Sequence, residues 1–218
     1  WLEHMKLGDN VAQTLPYLGM LDCGKEICEI PSNFVWGTNF SVRRQLLEEA
    51  GGFHPCAMPR DLLHYYGDGE IHVGRFVSAR GHKILYHPEA KVLHDIPASR
   101  LTFEAVALKF ETTAYSRSFQ TLRKMREAYP DPTDIEIVSI SNRYFRDPLV
   151  APTELKEAVV KGLARGFRRQ LEYFKSDKYF RKWVLRENYL DLDSCYEDPP
   201  LMDYVAAKQI ETDWRRDN

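Results

Sequence analysis

The apolar residues of this chain change period along its length. Over 69–80 they fall at 73, 76, 77 and 79, a helical stripe that Gly81 closes. From Ile84 through Tyr86 to Val92 the period shortens to two, predicting two short strands around a hairpin-like turn, His87-Pro88-Glu89-Ala90. Beyond Pro97 the pattern is helical again and predicts helices over 102–128, 153–176, 178–189 and 201–216. Leu155, Val159, Leu163, Phe167 and Leu171 recur every fourth residue, so one face of that helix must pack on something. Upstream, residues 1–33 predict a short helix, an irregular stretch holding Pro16 and Gly19, and a strand over 26–30 stopped by Pro31. A buried strand interrupted at Gly37 is expected over 34–42, then a helix over 43–50 that Gly51-Gly52 ends. Pro130, Pro132, Pro148 and Pro152 cluster where a domain change is expected, near 125–150.

Composition narrows the class. With 218 residues, 44% of them hydrophobic, there is material for one sizeable core or two small ones. No run approaches the ~18 apolar residues of a spanning helix, and the N-terminus lacks a basic-then-apolar signal, so the reading is cytoplasmic. A net charge of −2 argues against a nucleic-acid partner, because bulk phosphate neutralisation needs a cationic chain. The Arg and Lys residues over 161–182 read as a solvated helix face. Cys23, Cys28, Cys56 and Cys195 have neither zinc-site spacing nor the density of a disulfide framework and read as free thiols.

Four signals follow one another in order: VWGTNFSVRR (35–44), EEAGGF (48–53), YYGDGE (65–70) and GHKILYHPEAKVLH (81–94). Together they describe one side of an active-site cleft. Their order resembles the C-terminal half of a family 2 glycosyltransferase catalytic domain, of GT-A fold, over about 34–102. In that family a Gly-containing loop is followed by a helix with a GGF-like step, an acidic pair opening a helix, and a G-x-x-I-x-Y-x-P-x-A-x-V-x-H run. The resemblance implies an α/β fold: a partial GT-A (nucleotide-diphospho-sugar transferase-like) domain over 1–125, acceptor side, and an α-helical extension over 126–218.

The resemblance also implies roles. Activating an acceptor hydroxyl while a nucleoside diphosphate departs calls for a carboxylate base and a divalent cation. The base is Glu70 by the register counted back from Gly81, with Asp68 its rival from the Gly-Asp context; an acidic pair at a helix start is also a common capping arrangement. Gly37, Thr38 and Asn39 correspond to the loop that approaches the donor, although a Gly at a bulge in a buried strand would look the same. Arg100 could meet the diphosphate or pair with Asp95. His94 corresponds to the histidine that helps hold Mn²⁺ or Mg²⁺ on the diphosphate. His82 and His87 are surface residues, and His72 a helix residue close to the acidic pair. Trp36, Tyr65 and Tyr66 could stack on a sugar or pack in a core.

The expected activity is transfer of a sugar from a nucleotide-diphospho-sugar donor to a glycan or lipid-linked acceptor in polysaccharide biosynthesis, with the inverting outcome that the resemblance implies. The nucleotide-binding half of such a fold and its D-x-D motif have no counterpart in the order expected, since Asp191-Leu192-Asp193 comes too late. The chain starts at Trp1 with its first Met at position 5, so it is expected to be a piece of a longer enzyme, inactive without that half. Two other readings stand beside it: an interaction or regulatory module binding a partner protein, which would need neither a metal nor Glu70, and a metal-dependent hydrolase built on Asp68, Glu70 and His94. The helical extension is open to covering the acceptor cleft, forming a homodimer, or leaning on the inner face of a membrane.

Overall fold

The computed structural model describes residues 19, 21–100, 102–125 and 153–191. Their order is β1 (Cys28–Glu29), a 3₁₀ turn (Ser32–Phe34), α1 (Arg44–Glu49), a 3₁₀ stretch (Arg60–Tyr65), α2 (Gly69–Ala79), β2 (Leu85–Tyr86), a 3₁₀ turn (Ala98–Arg100), α3 (Phe103–Met125), α4 (Thr153–Ser176) and α5 (Lys178–Leu185). The described chain is mostly helical with one small antiparallel sheet, in which Cys28 pairs with Tyr86 and Glu29 with Leu85. An α/β description therefore fits only loosely. The helix expected early in 1–33, the domain change near 125–150, the helix over 201–216 and Cys195 lie outside the described residues.

Two expectations are corrected. Residues 34–42 are not a strand: the Ser32–Phe34 turn follows Pro31, Phe34 donates to the Pro31 carbonyl, and a second turn closes from Asn39 N–H to Trp36 O. Val35 is nonetheless buried, so the apolar run signals a core contact rather than extended backbone. The hairpin around His87–Ala90 does not form either. The turn is there, with Ala90 N–H on His87 O, but β2 pairs with β1, and Ile30 N–H to Ile84 O continues that pairing. Strand pairing is a long-range choice that local alternation does not specify.

The helices follow their apolar stripes closely. On α4, Val159, Leu163, Phe167 and Leu171 are buried, while the side chain of Leu155 lies outside the described residues. That face meets α3 with almost no side chain between the backbones. A Cβ on Gly162 would sit 2.2 Å from Ala107 O, and one on Gly166 2.5 Å from Glu111 O. Asp177 caps α5 by accepting from the amides of Tyr179 and Phe180, and α5 stops at Leu185, short of the expected 189, because Arg186 is extended.

The main core joins early and late parts of the chain: Leu62, Tyr65, Phe119, Leu122, Leu171, Phe174, Phe180, Val184 and Tyr189. Each such side chain contributes roughly 1.5–3 kcal/mol of burial. A smaller cluster packs α1 on α2 through Ala50, Val73 and Val77, with Leu46, Leu47 and Phe76 around them. Both glycines after α1 are left-handed, Gly51 at φ +76° and Gly52 at φ +85°, which ends the helix. The segment after α5 rests on that stop, with Tyr189 N–H donating to Gly51 O at 2.7 Å.

Candidate functional site

The site grows from the start of α2. Asp68 precedes the helix and makes no side-chain cap; Gly69, left-handed at φ +50°, turns the chain; Glu70 occupies the first turn. Acidic side chains there are favoured by the partial positive charge of the free amides. Only glycine fits at 69, since the conformation is left-handed and a Cβ would lie 2.8 Å from Cys56 Cβ.

The two carboxylates then diverge. Glu70 is partly buried, and its Oε1 accepts the Gly37 N–H at 2.7 Å, joining segments 33 residues apart. Asp68 is buried. Its Oδ1 accepts from His54 Nδ1 and its Oδ2 faces Arg75 Nη1 at 3.4 Å. The sequence left Asp68 and Glu70 as rivals; Asp68 is buried, and Glu70 is only partly so.

His54 is enclosed by rings. Its face stacks on His72 at 3.6 Å between centroids, with Phe119 at 5.1 Å and Tyr189 at 5.0 Å. Because Asp68 only accepts when ionised, Nδ1 of His54 carries the proton; Nε2 is buried with no hydrogen-bond partner among the described residues. Burial pulls the His54 pKa down to about 4 against the opposing pull of Asp68. His72 Nε2 donates in turn to Ala50 O at 2.9 Å.

Glu70 has further neighbours. Burial pushes the Tyr66 hydroxyl up to about 12, and the charges of Cys56 and Glu70 add to it. Cys56 is exposed as a residue, yet desolvation of its thiol raises the pKa, with Glu70 and Asp68 adding to the effect. Lys109 is exposed as a residue, yet its ammonium sits among protein atoms; that desolvation lowers its pKa, while Glu70 opposes the fall and Arg100 assists it. Glu70 and Arg100 therefore each act on the charge of Lys109.

The other expected residues are placed as follows. Thr38 and Asn39 are exposed beside Gly37, and Asn39 Nδ2 donates to Ala90 O, bringing the fourth sequence signal onto the first. Arg100 ends an exposed 3₁₀ turn, and among the described residues no ion pair joins it to Asp95. His94 is exposed and lies against Gly19, where a Cβ would be 2.8 Å from its Nδ1. Among the described residues no group of three or more His, Cys, Asp or Glu is placed to hold a metal ion. Tyr65 is wholly buried in the core, and Cys23, Cys28 and Cys56 are free thiols. No described helix is long and apolar enough to cross a membrane.

Sequence reasoning missed His54, Cys56, Arg75 and Lys109. His54 directly follows the GGF step and Arg75 lies one turn beyond His72, so both were near the signals; Lys109 comes from α3 and carries no local mark. No protein-family model, no curated protein and no solved structure matches this chain.

Proposed function

We propose that this chain is the acceptor-side part of a glycosyltransferase of the GT-A kind, with Glu70 as the catalytic base. The observation that carries the reading is the contact between Glu70 and the Gly37 amide. The signal expected to approach the donor and the one expected to supply the base meet across 33 residues, and Asn39 draws in a third through Ala90. Glu70 takes the proton of the acceptor hydroxyl as that oxygen bonds to the anomeric carbon. The bond from that carbon to the diphosphate breaks, and its electron pair leaves with the nucleoside diphosphate. Lys109 supplies positive charge near Glu70, and Arg100 adds a second positive charge near Lys109, where a diphosphate would need it. The reading includes Mn²⁺ or Mg²⁺ on the diphosphate with His94 as one ligand. The acceptor is a glycan or lipid-linked saccharide of polysaccharide assembly.

The test is nucleoside diphosphate release from a panel of nucleotide sugars by the full-length protein with Mn²⁺. Glu70→Gln should lower kcat about 10²–10⁴-fold, the usual worth of a positioned base. Wild-type turnover by Glu70→Gln, or no donor consumed by the native protein, rejects the reading.

One observation favours a second reading, a module that binds a partner protein. Ile27, Leu85, Val92 and Leu93 are large aliphatic side chains left exposed on and near the small sheet. On that reading Leu93→Asp abolishes partner capture and Glu70→Gln does not.

A further inference from the structure

We infer that His54 is a positioning residue for Glu70, acting through its hydrogen bond to Asp68 and tying the start of α2 to the helical part of the chain. The inference rests on the reading of Glu70 as the working carboxylate and gives the helices a role in the site.

The Glu70 backbone is set by the two residues before it. Asp68 and Gly69 immediately precede it, and both have special conformations: Asp68 at φ −108°, ψ 12°, Gly69 left-handed. A residue in that position could cap the helix with its own carboxylate, as Asp commonly does at the N-cap. Asp68 does not; its carboxylate turns inward to His54 and Arg75. Arg75 is a distant and half-exposed partner, whereas His54 and Asp68 are both almost fully buried. The histidine is therefore the dominant anchor, and leaving a buried donor or acceptor of such a pair unsatisfied is costly.

What holds His54 comes from elsewhere in the chain. Phe119 lies on α3 and Tyr189 follows α5, and together with His72 they enclose the imidazole. The approach to Asp68 is held from the same side. Gln170 of α4 donates to the carbonyls of His64 and Tyr66, both at 2.9 Å, and Trp183 of α5 donates to Tyr65 O at 3.2 Å. Gly67 N–H closes onto Pro55 O at 2.6 Å, fastening this run to the segment that carries His54. Every link from the helices to Asp68 is thus a named contact, and Glu70 is the first side chain beyond them.

The Gly37 amide reports the outcome without any substrate, since its proton sits on Glu70. In a ¹⁵N spectrum of the full chain, Glu70→Ala marks where the Gly37 cross-peak lies when that bond is lost. His54→Ala should move the peak toward that position. His54→Asn should keep it near the wild-type place, because the Asn amide donates from the position of Nδ1, even though the lost ring lowers Tm. Should His54→Ala fail to fold, Asp68→Asn keeps an acceptor for His54 and should also hold the peak, while Asp68→Gly should release it. The inference is overturned if His54→Ala lowers Tm but leaves Gly37 in place, or if His54→Asn moves it as far as His54→Ala does. Failure of the glycosyltransferase reading would appear only in the donor assay and leave these spectra unchanged.

Discussion

Asp68 and Glu70 flank a single left-handed glycine and commit their carboxylates to different tasks, Asp68 to the buried ring of His54 and Glu70 to the amide of Gly37. Two residues of separation turn a pair that reads as one acidic cluster into an anchor and a surface group.

Stability should separate them. Removing Asp68 leaves the neutral His54 Nδ1–H buried without its acceptor, so Asp68→Ala should cost about 1.5–3 kcal/mol. Glu70→Ala removes one hydrogen bond near solvent and should cost about 1 kcal/mol. Urea denaturation of the two variants checks the ordering.

Acid should weaken the fold in a defined window. His54 and His64 are both held neutral by burial, each with its pKa lowered to about 4. In the unfolded chain they protonate near pH 6.5. Their depressed values mean that the unfolded state binds more protons between those limits, so stability is intact above about pH 6.5 and falls as pH drops toward 4. Each histidine should contribute on the order of 1 kcal/mol per pH unit there. Urea midpoints measured from pH 7 to 4 test this; a flat profile would contradict it.

The α3–α4 seam should not accept side chains. Gly162→Ala and Gly166→Ala drive a methyl into backbone carbonyls, at 2.2 Å and 2.5 Å before relaxation, and carbonyls of a packed helix cannot swing aside. A loss of about 3 kcal/mol is expected for each. Gly81→Ala has open space around it and bears only the strain of φ +79°, so about 1 kcal/mol is expected. Thermal melts of the three variants should fall in that order.

Gln170 is fully buried and serves two main-chain carbonyls of a distant loop. Gln170→Leu keeps volume but leaves both acceptors dry, which should cost about 2–5 kcal/mol. Faster hydrogen exchange at Gly67 and Gly69 than in the native protein would mark where the loosening is felt.

The helices were legible because their information is local: the stripe at 73, 76 and 77, though not Ala79, which is exposed, and the fourfold spacing from Val159 to Leu171 are burial patterns written directly into neighbouring residues. Gly51-Gly52 likewise gives the end of α1 in its own letters. Glu70 and Gly37 were found as separate signals, and their meeting was not readable, since nothing near either one names the other. The same holds for His54. Its importance comes from Asp68, Phe119 and Tyr189, three residues spread over 121 positions of sequence whose convergence is a property of packing. The apolar run after Phe34 misled for the converse reason: Val35 is buried in a turn, and burial alone does not distinguish a turn from a strand.

The grip of Gln170 and Trp183 on the carbonyls of His64, Tyr65 and Tyr66 spans 104 to 118 residues. During synthesis the loop leading to Glu70 therefore emerges long before the groups that complete it. At ordinary elongation rates the wait is on the order of ten seconds. Through that interval the loop before Glu70 lacks its two side-chain donors, and α4 and α5 decide when it is fastened.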